Sequence, residues 1–169
     1  MLMLKPQDIV VLLKVHCLGD EWTYQQLAKS IKASSSVVYD ALIRCQECHL
    51  YHLERRKIFR GALLEFLVHG LKYVFPAKAG ALVRGVPTAH SAQPLRDLLM
   101  VNDDLAYVWA YGRGKVKGQA IIPLYHSVPE VVENDPPFYE LLSLVDSLRV
   151  GRVREVEAAT IELSKRFDD

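Results

Sequence analysis

Two short helices separated by a tight turn are predicted between residues 23 and 48, and this pattern limits the possible folds more than any other part of the chain. Thr23 can cap the first helix, because a threonine hydroxyl accepts a hydrogen bond from an unpaired backbone N–H in the first turn. Apolar residues then recur at helical spacing and mark one buried face. The serines at 34–36 can cap a second helix, which carries an apolar stripe of its own.

A basic hairpin is predicted immediately after the second helix. Residues 50–53 and 57–59 have the composition of two short strands, and the sequence Glu-Arg-Arg-Lys at 54–57 forms the tip between them. Two helices joined by about three or four residues form a helix-turn-helix arrangement, and the hairpin would supply a wing.

The N-terminal end of the second helix in a helix-turn-helix enters the major groove of DNA, so side chains near that end meet base edges and phosphates. Hydroxyl groups and arginine suit these contacts, whereas a carboxylate can accept only from cytosine or repel other bases. At the tip of the hairpin, cations would contact the DNA backbone or the minor groove. The predicted DNA-binding residues are Ser35, Ser36, Tyr39, Asp40, Arg44, Arg55, Arg56 and Lys57.

The distribution of charge agrees weakly with DNA contact by the first part of the chain. The formal net charge of the whole chain is only +1. Residues 1–76 contain ten Lys and Arg against seven Asp and Glu, whereas residues 135–169 contain five against eight. The positive excess therefore lies with the predicted helix-turn-helix, and the acidic excess lies at the end of the chain.

The sequence predicts a mainly α protein with a small β component, organised in three segments. Residues 1–76 would form a winged helix-turn-helix domain, with further helices over 6–18 and 61–69. Residues 77–134 are rich in Gly and Pro, and an ordered loop is predicted in the first half of this segment. A β-hairpin is predicted in the second half, in which residues 105–111 pair back with 119–124. Residues 135–169 would form two helices, the first starting at the capping Asp135.

The two C-terminal helices carry apolar stripes that predict a dimer interface. Val153, Val156, Thr160, Leu163 and Phe167 follow one another at intervals of three and four residues, as in a heptad seam. Docking of both helices on their own domain is the alternative. The residues predicted to form the interface of a homodimer are Leu148, Val153, Val156 and Leu163.

Other kinds of site have little support in the sequence. Cys45-Gln-Glu-Cys48-His49 matches a haem-attachment string, but a single short motif has a high false-positive rate, and Cys45 can serve as a small buried residue. No phosphate-binding loop or catalytic arrangement occurs, so we expect neither an enzyme nor a bound metal or cofactor. No apolar run is long enough to cross a bilayer and no export signal is evident, so we expect a cytoplasmic protein without a membrane partner.

The pattern over roughly the first 60 residues resembles the winged helix-turn-helix transcriptional regulators of the MarR and ArsR kind. The resemblance is carried by Thr23-Tyr-Gln-Gln-Leu-Ala28, by residues 34–48 and by residues 53–59. It implies a dimeric regulator that binds specific sequences in double-stranded DNA. The chain departs from these families in its Gly- and Pro-rich middle segment and in lacking an obvious effector pocket.

Two alternative functions are compatible with the same sequence. One is a protein-interaction module, such as an antitoxin or adaptor, whose winged fold binds a partner protein. The other is a thiol- or metal-sensing regulator that uses Cys45 and Cys48.

Overall fold

A computed structural model describes residues 3–101 and 105–168 of the chain, and it is mainly α-helical with a small β component, as predicted. The helices of the described residues are α1 (Pro6–Leu18), α2 (Tyr24–Ser30), α3 (Ser35–Glu47), α4 (Arg60–His69), α5 (Leu71–Val74), α6 (Leu95–Leu98), α7 (Val128–Val131), α8 (Pro136–Val150) and α9 (Val153–Phe167). The strands are β1 (Tyr51–His52), β2 (Lys57–Ile58), β3 (Leu82–Pro87), β4 (Ala106–Ala110) and β5 (Val116–Ala120). None of the helices in the described residues is long and apolar enough to span a membrane.

The capping residues predicted from the sequence begin the helices in the structure. Thr23 Oγ1 accepts from the backbone N–H of Gln26 at 3.1 Å, and Gln26 Oε1 accepts from the backbone N–H of Thr23 at 2.9 Å. This reciprocal arrangement is a capping box, which satisfies two donors that the helix itself leaves unpaired. Ser34 and Asp135 cap α3 and α8 by accepting from the backbone N–H three residues later.

One hydrophobic core contains residues from all three predicted segments of the chain. The helix α8 lies at its centre, where every residue from Leu141 to Leu148 is buried. It packs against α1, α4, α5 and α9. Consequently α1 is buried on all sides from Asp8 to Val15, whereas a helix at the surface of a protein is buried along one face only.

The middle segment forms a closed three-stranded barrel, so the predicted hairpin is wrong in its topology. β4 and β5 run parallel to each other, with Tyr107 opposite Gln119, and both pair antiparallel with β3. The strand β3 lies where the composition predicts an ordered loop. Glycine permits the close approach of the strands, because a Cβ at Gly85 would overlap the carbonyl of Trp109 and one at Gly118 would overlap the carbonyl of Ala106.

A buried polar network joins the barrel to α8. Asp146 accepts hydrogen bonds from Thr88 Oγ1 at 2.8 Å, from Trp109 Nε1 at 2.7 Å and from Arg149 at 2.9 Å. Burial raises the pKa of Asp146, and the ion pair with Arg149 and the other hydrogen bonds oppose this rise. Because each of these buried groups has a partner, the network holds the barrel in one orientation against the helices.

Candidate functional site

The N-terminal end of α3 forms an exposed polar surface. Ser35, Ser36 and Asp40 are exposed, and the side chain of Tyr39 is 44% exposed despite its size. The hydroxyl of Ser34 caps the helix and lies 3.4 Å from that of Ser36, and Ser35 and Ser36 are both exposed to solvent. Four of the residues predicted to contact DNA therefore lie together on one accessible helix end.

A row of aromatic side chains connects this surface to the ribbon formed by β1 and β2. The ring of Tyr39 meets that of Tyr24 edge-on at 5.7 Å between centroids, and Tyr24 meets Trp22 in the same way at 5.4 Å. The guanidinium of Arg56, in the ribbon, lies 3.9 Å from the centroid of Trp22. The N-terminal end of α3 and the ribbon are therefore adjacent parts of one surface.

The ribbon presents two of its three predicted cations to solvent. Arg55 and Lys57 are exposed. Arg56 is half-buried, stacks on Trp22 and donates a hydrogen bond to the carbonyl of Trp22, so its guanidinium is engaged within the chain. The role predicted for Arg56 as a free cation at the tip is corrected accordingly, because its side chain fixes the ribbon against the start of α2.

Arg44 is predicted from the sequence to contact DNA, but in the structure it points into the core. Its Nε and one terminal nitrogen donate to the two carboxylate oxygens of Asp8, each at 2.8 Å. The side chain of Arg44 is 9% exposed and that of Asp8 is fully buried. The hydrogen bonds to Asp8 raise the pKa of Arg44 above its ordinary value. The prediction is wrong because helical spacing indicates a position on the helix, and here that position faces α1.

A further cation, Arg60, lies beside the ribbon and is not among the residues predicted from the sequence. It is exposed at the start of α4 and lines a cleft of about 260 Å³ between the end of α1 and the ribbon, together with Lys57 and Asp20. Its position directly after the second predicted strand is the signal that could have identified it. The cations of this part of the surface are thus Arg55, Lys57 and Arg60.

The turn between α2 and α3 is supported by α7. Ser127 Oγ donates to the carbonyl of Ile31 at 2.6 Å, and Lys32 forms an ion pair with Glu130. These contacts fix the turn that sets the direction of α3.

Most of the residues predicted to form a dimer interface pack against other helices of the same chain. Leu148 and Leu163 are 3% and 0% exposed, because α9 packs on α8 and α4 of the same chain. Val156 is half-buried against the core, and Val153 is 76% exposed. The apolar seam of α9 is therefore an intramolecular contact, and the interface predicted at Leu148 and Leu163 is wrong.

The three cysteines occupy different environments. Cys45 is buried, Cys17 is partly buried and Cys48 is exposed. Burial raises the pKa of all three thiols, that of Cys17 to about 11. In the residues that the structure describes, no group of three or more His, Cys, Asp or Glu side chains could hold a metal ion.

Comparison with protein-family models, with curated proteins and with solved structures found no match for this chain.

Proposed function

We propose that the chain is a sequence-specific double-stranded DNA-binding protein of the winged helix-turn-helix class that acts as a transcriptional regulator. In this proposal α2 and α3 form the helix-turn-helix and the β1–β2 ribbon is the wing. The observation that carries it is the joined surface of α3 and the ribbon. An exposed helix end with Ser35, Ser36 and Tyr39 lies beside a ribbon that carries Arg55 and Lys57.

The division of roles follows from the chemistry of each side chain. Base edges in the major groove are read by groups at the exposed end of a helix, which here are the hydroxyls of Ser36 and Tyr39 and the carboxylate of Asp40. Phosphates are contacted by cations, which here are Arg55, Lys57 and Arg60. Arg44 and Arg56 have no direct part, because both guanidinium groups are engaged within the chain.

Binding of duplex DNA at several salt concentrations tests the proposal. Removal of one cation from a phosphate lowers the slope of log affinity against log salt by about 0.9, so Arg55→Ala/Lys57→Ala should lower it by about 1.8. The matched control is Lys72→Ala/Lys165→Ala, which removes two exposed cations on α5 and α9 and should leave the slope unchanged. Ser36→Ala and Tyr39→Ala should instead change which sequences are selected from a random pool.

Three results would contradict the proposal. A ribbon variant with the parent's slope would exclude the wing. An unaltered sequence preference in both α3 variants would exclude α3 as the reading element. Capture of a partner protein that survives neutralisation of the ribbon, without duplex binding, would favour the protein-interaction alternative.

A further inference from the structure

A second group of cations lies on the three-stranded barrel, outside the proposed helix-turn-helix. Arg84 in β3, Lys117 in β5, and Arg113 and Lys115 in the connection before β5 are all exposed. Among the described residues none of the four forms an ion pair, whereas Lys14, Lys32, Arg149 and Arg166 all do. The barrel therefore presents a cluster of cations with no described carboxylate within ion-pair distance.

Two of these cations are direct neighbours across the sheet. Arg84 is opposite Lys117 in the antiparallel pairing of β3 with β5, so both side chains project from the same face of the pair. Like charges directly opposite each other destabilise a sheet. A bound anion would remove that repulsion. Binding of an anion would therefore explain why two cations stand opposite each other, which no contact among the described residues explains.

The connection that carries Arg113 and Lys115 is fixed by backbone hydrogen bonds and by close packing of glycines. The N–H of Gly114 donates to the carbonyl of Tyr111 at 2.9 Å, and the N–H of Tyr111 donates to the carbonyl of Arg84 at 3.0 Å. Gly114 packs so closely on Gly85 that a Cβ would overlap its backbone. Arg113 and Lys115 therefore extend from a fixed turn, and ordering the backbone costs little when they bind.

The short helix α7 links this turn to the proposed DNA-binding surface. A groove of about 230 Å³ lies between the barrel and α7 and is lined by Arg113 and Lys115 on one side and by Pro129 and Glu133 on the other. Through its other contacts, α7 supports the α2–α3 turn by means of Glu130 and Ser127. The helix α7 therefore lies between the barrel cations and the α2–α3 turn and contacts both.

We propose that Arg84, Arg113, Lys115 and Lys117 form a second phosphate-binding surface, which contacts the backbone of the same DNA duplex beyond the segment read by α3. This inference rests on the proposed function and extends it. A duplex fits better than an acidic protein, since closely spaced phosphates match a row of unpaired cations that is separated from the α2–α3 turn only by α7. A contact of this kind adds affinity without sequence preference.

The test compares two triple variants that change the net charge equally. Arg113→Ala/Lys115→Ala/Lys117→Ala removes three barrel cations, and Lys5→Ala/Lys72→Ala/Lys165→Ala removes three exposed cations elsewhere. The barrel variant should lower the slope of log affinity against log salt by about 2.7 and shorten the hydroxyl-radical footprint on one side of the α3 site. At 0.1 M salt each cation removed from a phosphate corresponds to a roughly eightfold weaker affinity. The selected sequences should not change, and Arg113→Lys/Lys115→Arg/Lys117→Arg should keep the parent's slope.

The outcomes separate this inference from the proposed function. Equal changes of slope in the two triple variants, or an unaltered footprint, would overturn the barrel surface. The proposed function would still stand in that case if Arg55→Ala/Lys57→Ala lowered the slope. A change in the barrel variant alone, with the ribbon and α3 variants unaltered, would support the barrel surface and contradict the proposed function. Competition by polyglutamate equal to that of duplex at the same charge concentration would identify an acidic protein as the ligand and overturn the inference.

Discussion

The buried ion pair between Asp8 and Arg44 predicts a large effect on stability from a residue that the sequence assigns to DNA contact. Arg44 donates twice to Asp8, and Asp8 also accepts from the backbone N–H of Lys5 at 2.8 Å, where it completes the cap of α1. The pair therefore joins the first turn of α1 to the last turn of α3. Arg44→Ala would leave the fully buried carboxylate of Asp8 without its cation.

The magnitude follows from the burial of both partners. Removing one member of a buried pair costs about 3 to 5 kcal/mol, because the remaining charge is desolvated and unpaired. No reduction for solvent screening applies, since the two side chains are 9% and 0% exposed. For a protein of this size 1 kcal/mol lowers the melting temperature by about 2 to 4 °C, so Arg44→Ala should lower it by roughly 6 to 20 °C. Asp8→Leu/Arg44→Met, which removes both charges and also the cap that Asp8 gives α1, should cost no more than the roughly 1 kcal/mol of a lost helix cap.

Urea unfolding of the parent, the two single variants Asp8→Ala and Arg44→Ala, and the double variant measures these differences. The duplex affinity of Asp8→Leu/Arg44→Met then separates structure from DNA contact, because this variant lacks the guanidinium but retains the fold. Arg44→Ala within about 1 kcal/mol of the parent would refute the structural assignment. A folded double variant without sequence-specific affinity would restore Arg44 as a DNA contact.

Two further predictions concern the barrel and the last helix. Gly118→Ala should destabilise the chain by about 1 to 3 kcal/mol in thermal unfolding, because its Cβ would overlap the backbone of Ala106. The control Gly61→Ala has open space around it in α4 and should stabilise the chain by about 0.5 to 1 kcal/mol. Equal effects of the two variants would contradict the close approach of the strands. Deletion of residues 152–169 should abolish cooperative unfolding, because it removes the buried Leu163 and Phe167 and exposes the faces of α4 and α8 that α9 covers. Burial of each of these two side chains stabilises the fold by about 1.5 to 3 kcal/mol. A truncated chain with a cooperative transition and the parent's helix content would show that α9 is dispensable.

The helices are well predicted from the sequence because their signals are local. Thr23, Ser34 and Asp135 act on backbone groups three residues away, so their effect can be recognised without knowledge of the tertiary structure. The β1–β2 ribbon also depends on short-range pairing, with Tyr51 opposite Ile58. The exposed part of the candidate site, Ser35, Ser36, Tyr39 and Asp40, could be predicted for the same reason, since these residues closely follow the cap.

The barrel could not be predicted from local signals. A short connection between two β-rich segments normally indicates an antiparallel hairpin. Here β4 and β5 are joined by residues 111–115 and yet run parallel, because both pair with β3 in the antiparallel sense. This arrangement requires glycine where strands approach, and a glycine in a sequence equally suggests a turn. The Gly- and Pro-rich composition therefore indicates a loop where the chain forms β3.

The C-terminal helices show a second limit of prediction from the sequence, and this limit affects how the chain is proposed to bind DNA. The spacing of Leu163 and Phe167 indicates that one face of α9 is buried, but a spacing rule cannot tell a second copy of the chain from a neighbouring helix. In the structure that face is covered by α8 and α4, and the ring of Phe167 also meets His16 of α1 at 4.7 Å. A dimer through this seam would supply the additional DNA contacts that a single helix-turn-helix lacks. With the seam occupied, the proposed phosphate-binding surface on the barrel, linked to the α2–α3 turn through α7, would supply such contacts within one molecule.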